Sequence, residues 1–192
     1  MVRAIKRGVK RRLLTLAVLV AGYAGALPAA TLERLSMDDL IAKSTAIVRG
    51  TVSDSWAAFT GPIIYAHYRI QVSETLKGTA QNWVEIAVTG GEVNGIHTSA
   101  SGSPTLNKGD QYVFFLWTSK AGLTQIMGLT QGLFVMPGDG SADPMITRPP
   151  TRELMLDPVT ARPVKDAAVS LRLSDLRQRI AKSVAGGKGG DE

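Results

Sequence analysis

The sequence predicts a mainly β protein. The expected form is a small closed or partly open barrel of about five to six strands, with a short N-terminal helix and a C-terminal helix. Three observations carry this. Residues 64–72 alternate apolar and polar side chains with the period of a half-buried strand. Residues 112–117 are apolar on both faces, which suits a strand covered on both sides in the middle of a structure. Glycines punctuate several short β-rich segments, and helical periodicity is confined to the two ends.

Residues 1–26 read as a secretory signal peptide. Arg3, Lys6, Arg7, Lys10, Arg11 and Arg12 form a basic start, and no acid precedes Glu33. An apolar run from 13 to 26 follows, broken only by Thr15, Gly22, Tyr23 and Gly25, and Ala24-Gly25-Ala26 has the small-x-small form of a cleavage site. Ala29-Ala30 offers a later cut, as late as residue 30. The run falls short of the ~20 apolar residues a membrane span needs, so the chain meets a membrane only during export. Arg11-Arg12 is a weaker hint of twin-arginine export. With the six basic residues set aside from the 22 Lys and Arg, the rest equal the 16 Asp and Glu in number. The expected body is neutral and periplasmic or secreted. It has no cysteine, hence no disulfide, thiol nucleophile, cysteine metal ligand or lipid-anchored cysteine.

Residues 31–136 make the expected barrel. Ser36 caps a helix over 37–44, with Asp38 and Asp39 in its first turn and Leu35 and Leu40 at staple spacing. Residues 46–52 form the first strand, by the β-branched Ile47, Val48, Thr51 and Val52, followed by Trp56 and a turn at Gly61-Pro62. The second strand ends at Lys77-Gly78. The third alternates Val84, Ile86 and Val88 with Trp83, Glu85 and Ala87, and ends at Gly90-Gly91. After the both-faces-apolar strand come strands at 123–127 and 129–136, with Gly122, Gly128 and Gly132 as turn or bulge points. Glycines inside strands suit the tight curvature of a barrel. Six of the nine prolines fall from Pro137 to Pro163, so 137–166 reads as an extended connector with a hairpin near 154–158. A helix over 167–185 carries Leu171, Leu173, Leu176, Ile180 and Val184 on one stripe, with Ser174 available to cap its later part. A flexible tail is expected over 186–192.

Catalytic patterns are absent. Ser101-Gly102-Ser103 lacks the Gly-x-Ser-x-Gly elbow of a serine hydrolase. The run from Asp139 to Asp143 lacks the oxygen ladder and closing glutamate of a calcium loop. Gly90, Gly91 and Gly95 open no helix and precede no Lys-Ser or Lys-Thr, which excludes a phosphate cradle. His67, Glu92 and His97 have the chemistry of a three-ligand metal site, but no paired-histidine motif fixes two of them. Aromatic residues on a small barrel stack on sugars or bases. A neutral body lacks the basic groove that nucleic acid wants, so a glycan or a protein is the expected ligand.

Three segments are similar to a known family: 44–52 (STAIVRGTV), 72–78 (VSETLKG) and 108–116 (KGDQYVFFL). Together they resemble netrin-like domains, including the tissue inhibitors of metalloproteinases, and more closely uncharacterised bacterial secreted proteins of similar layout. The resemblance covers roughly 32–136 and implies an OB-like five-stranded barrel with flanking helices. The animal inhibitors chelate the protease zinc through an N-terminal cysteine held by disulfides. This chain has no cysteine, so only the fold carries over.

The expected function is a monomeric, non-catalytic binding module without a cofactor, taking a protein or glycan partner in the envelope or outside the cell. The expected binding face joins Tyr65, His67, Arg69, Trp83 and Glu85 with Glu92 and His97 of a Gly-rich loop over 90–102. Inhibition of a secreted metalloprotease is the alternative the resemblance implies. Metal-dependent catalysis by His97, Glu92 and His67 is a second alternative. A structural role in an envelope assembly, docked through the C-terminal helix, is a third.

Overall fold

The computed structural model describes residues 30–138 and 140–187; the expected signal peptide and the last five residues of the tail lie outside the described residues. The fold is mainly β. In chain order it runs β1 (Thr31–Glu33), α1 (Met37–Lys43), β2 (Ala46–Thr60), β3 (Ile63–Lys77), β4 (Trp83–Val93), β5 (Ile96–Ser99) and β6 (Gln111–Thr118). It continues with β7 (Thr124–Ile126), β8 (Leu133–Val135), β9 (Met145–Arg148), β10 (Leu154–Leu156), β11 (Pro163–Val164), β12 (Val169–Arg172) and α2 (Leu173–Gly187).

The main sheet has the order β12-β9-β8-β6-β2-β3-β4-β5, with β7 also paired to β6. A small second sheet has the order β1-β10-β11. β7 packs beside β4, yet no ladder joins them among the described residues, so the main sheet does not close into a hydrogen-bonded barrel. Of the two forms expected for the barrel of about five to six strands, closed or partly open, the closed one is not formed by the described strands. Long strands bent by register shifts, and extra strands from the C-terminal third, extend the sheet past the expected circuit.

β6 separates two cores. Val113 and Phe115 face one core with Phe134 and the helix residues Leu40, Leu173, Leu176 and Ile180. Phe114 and Leu116 face the other with Val52, Tyr68, Ile70, Ile86 and Ile126. Alternation in a strand sends adjacent side chains to opposite faces, so one short segment fills both cores. Trp117 departs from the expected pattern: at the end of β6 its side chain is 43% exposed.

α1 is fixed at both ends, and α2 at its start. Ser36 and Asp39 form the reciprocal capping box that starts α1. Lys77 at the end of β3 donates to the carbonyls of Ile41 (2.6 Å) and Ala42 (3.1 Å) near the α1 C-terminus, where the helix dipole favours a cation. α2 begins at Leu173 rather than 167, because 169–172 pairs with β9 as β12. The Asp143 carboxylate accepts from the Ser174 amide (2.8 Å) and hydroxyl (2.9 Å), so the loop before β9 supplies the cap. Those two bonds hold the Asp143 carboxyl below the usual carboxylate range. Arg177 ties α2 to β3 through two 2.8 Å bonds to Glu74.

β2 carries register shifts near Gly50 and between Val52 and Asp54. A Cβ on Gly50 would lie 2.6 Å from both the Gln71 carbonyl oxygen and the Ile70 side chain. Gly50→Ala is expected to cost about 1–3 kcal/mol through forced displacement of β3. A thermal melt checks this; an unchanged midpoint contradicts the close approach.

Candidate functional site

The alternation that buries Tyr68, Ile70 and Ile86 turns the intervening side chains of β3 and β4 to the outer face. The register then sets their neighbours. His67 lies between Trp56 on β2 and Ala87 on β4, Arg69 between Asp54 and Glu85, and Gln71 opposite Trp83. Trp56 joins this face because the shift between Val52 and Asp54 restores its pairing with His67.

These residues form a connected array. The Trp56 and His67 rings stack with centroids 5.5 Å apart and planes 7° from parallel. Tyr65 meets His67 at 6.4 Å and 63°. The Arg69 guanidinium lies 5.5 Å from the Trp56 ring centre and 5.4 Å from that of Trp83, within cation–π range of both. His67 Nδ1 is 2.8 Å from Glu85 Oε1. A carboxylate only accepts, so this contact favours the proton on Nδ1. Nε2 is buried and has no partner among the described residues.

The sequence placed His67 on a polar strand face. Its side of β3 is indeed the outer face, but the residue is only 8% exposed because Trp56 covers the ring. Trp83 is 52% exposed and Arg69 is exposed. The array therefore presents an indole, a guanidinium and the Glu85 carboxylate over a covered aromatic layer. It is equipped to stack, hydrogen-bond and pair charges.

The structure thus gathers five of the expected face residues: Tyr65, His67, Arg69, Trp83 and Glu85. Glu92 and His97 lie apart from them. They sit opposite each other across β4 and β5, both exposed. The Gly-rich loop expected over 90–102 is largely this hairpin. Its turn is Asn94-Gly95, with φ of 53° and 78°. Two left-handed residues between paired strands match the type I′ geometry that Asn-Gly favours, and that dipeptide was the available signal. Among the described residues no group of three or more His, Cys, Asp or Glu is placed to hold a metal ion, so His67, Glu92 and His97 do not form the ligand set considered from the sequence.

Two clefts adjoin the face along the β4–β7 line. The first encloses about 580 Å³ and is lined by Gln81, Asn82, Trp83 and Glu85 with Leu123 and Thr124 of the β6–β7 hairpin. The second, about 280 Å³, is lined by Thr89, Trp117, Gln125, Met127 and Leu129. Ala87 borders both.

Compared with known proteins, the chain matches no family model, no curated protein and no solved structure.

Proposed function

We propose that this chain is an exported, non-catalytic binding module, periplasmic or secreted, that holds a protein or glycan partner on the outer face of β2, β3 and β4. Export is read from the basic and apolar N-terminal pattern. The fold reading is a partly open, OB-like barrel. The strand order β4-β3-β2-β6-β7, with β7 lying against β4, supports it. Rigid sheets with mobile-loop rims are where small β domains present ligands.

One observation carries it. Arg69 is held near both Trp56 and Trp83, beside the His67–Glu85 pair, and this aromatic and charged array stands on the outer face of the sheet rather than in either core. Exposed Trp and Arg are the side chains most often found as energetic anchors of interfaces.

The test is a paired affinity capture. The chain from Leu27 and its Trp83→Ala variant are immobilised, and an envelope and culture extract of the source cells is passed over each. Trp83 is half exposed at the start of β4, so its truncation is expected to leave the fold intact; a melt verifies this. The expected result is a partner retained by the native chain and reduced roughly tenfold on the variant, equivalent to losing one anchor. Equal retention on both would overturn the assignment of this face.

A further inference from the structure

The cleft beside Trp83 differs in chemistry from an apolar pocket and from a phosphate site. Its wall includes the half-exposed Trp83 indole, steadied by Arg69 over its ring at 5.4 Å. Its other polar lining is amide, hydroxyl and carboxylate: Gln81, Asn82, Thr124 and Glu85. The side-chain amides of Gln81 and Asn82 make no hydrogen bond to another described residue. Each offers two N–H donors and one acceptor oxygen. Glu85 uses Oε1 toward His67 at 2.8 Å, which leaves Oε2 for a ligand.

We infer that this cleft binds a neutral oligosaccharide, with one sugar ring stacked on Trp83 and its hydroxyls bonded to Gln81, Asn82 and Glu85. The inference rests on the reading of this face as a binding surface and names its ligand class. A sugar ring pairs an apolar C–H face with a rim of hydroxyls that both donate and accept. The cleft pairs an indole with a rim of groups that do the same. Vicinal hydroxyls can share one carboxylate, and the free Glu85 oxygen sits in the same lining as the indole. A phosphate or nucleic-acid ligand would meet the Glu85 charge in the lining, while the Arg69 guanidinium is packed against the Trp56 and Trp83 rings and does not line the cleft. A purely apolar ligand would strip water from the amides and the carboxylate without replacing its bonds. The volume of about 580 Å³ suits a short oligomer.

The experiment titrates the chain from Leu27 with chitotetraose, cellotetraose and maltotetraose, followed by tryptophan fluorescence and by calorimetry. The expected result is saturable binding of at least one of the three. Trp83→Ala weakens it roughly tenfold, as expected for loss of a stacking anchor. Trp83→Phe retains most of it, because a flat ring remains. Glu85→Gln weakens it several-fold, and Trp117→Phe at the neighbouring cleft leaves it unchanged. Thermal melts of each variant verify folding. No saturable binding of any of the three at millimolar concentration overturns the inference, as does a Trp83→Ala variant that binds like the native chain. The two readings fail separately. If no sugar binds while the capture still distinguishes the native chain from Trp83→Ala, the saccharide fails and the binding face stands. If the capture does not distinguish them, the face itself fails.

Discussion

Phe115→Ala is expected to cost about 3–5 kcal/mol of folding stability, enough to unfold much of the population at moderate temperature. Phe115 is fully buried on the helix side of β6, where its ring meets Phe134 at 5.5 Å. Removing it opens a cavity between the sheet and both helices, which rigid strands cannot collapse to fill. Phe114→Ala, one residue away, should cost a similar amount through the opposite core, where Phe114 meets Tyr112 at 5.5 Å. Trp117→Ala at the exposed end of the same strand should cost under about 1 kcal/mol. Urea unfolding of the three variants checks the set. If Phe114→Ala and Phe115→Ala differ little from Trp117→Ala, β6 does not divide two cores.

Asp166→Ala is expected to cost about 3–5 kcal/mol, because it strands a buried cation. Arg148 and Asp166 have side chains only 6% and 4% exposed. The Asp166 carboxylate accepts from both terminal nitrogens of Arg148, one at 2.9 Å, and from the Thr151 amide at 2.8 Å. Arg148 also donates to the Ala167 carbonyl at 3.2 Å. A double variant, Arg148→Met with Asp166→Leu, removes both charges and should recover most of the loss. Acid adds a second readout. Burial pushes the Asp166 carboxyl up, but the Arg148 bonds and the Thr151 amide outweigh it and hold it below its ordinary value of 3.8. A depressed folded value means that this stabilisation is fully present above the unfolded value and is lost as pH falls through the folded one. Native stability should therefore decline below about pH 4, and Asp166→Ala should show a shallower decline there. An equal acid slope in the two proteins would contradict the pairing.

This ion pair shows why part of the fold was hidden in the sequence. Residues 137–166 read as a proline-rich connector, yet they hold β9, β10 and β11. These strands have two to four residues, too few to display a period. Their partners are also distant. β10 pairs in parallel with β1, Thr31 opposite Leu154, and no local pattern announces such a contact. The hairpin expected near 154–158 does form, but its second strand begins at Pro163. By contrast, the Ser36 cap of α1 and the two faces of β6 were legible because both depend on residues a few positions apart.

The outer-face array proposed to bind was legible in part for the same reason. Alternation along β3 and β4 places Tyr65, His67, Arg69, Trp83 and Glu85 on one side without any knowledge of pairing. The contribution of Trp56 was not. Reading β2 as ending near 52 detached it, and its return to His67 depends on a register shift that only strand pairing reveals. The burial of His67 follows from that one contact. Glu92 and His97 lie apart from the array because the Asn94-Gly95 turn makes a second hairpin, β4–β5, on which they face each other.

The most direct measurement is a tryptophan oxidation footprint. The chain from Leu27 is treated with a limiting oxidant, alone and in the envelope and culture extract, and each tryptophan is quantified by mass spectrometry. Trp83 and Trp117 are 52% and 43% exposed, so they react comparably in the free protein. With Trp83 in the bound face and Trp117 outside it, the extract should protect Trp83 and leave Trp117 as reactive as before. Protection of Trp117 alone, or of neither, would contradict the claim that this protein works through the outer face of β2, β3 and β4.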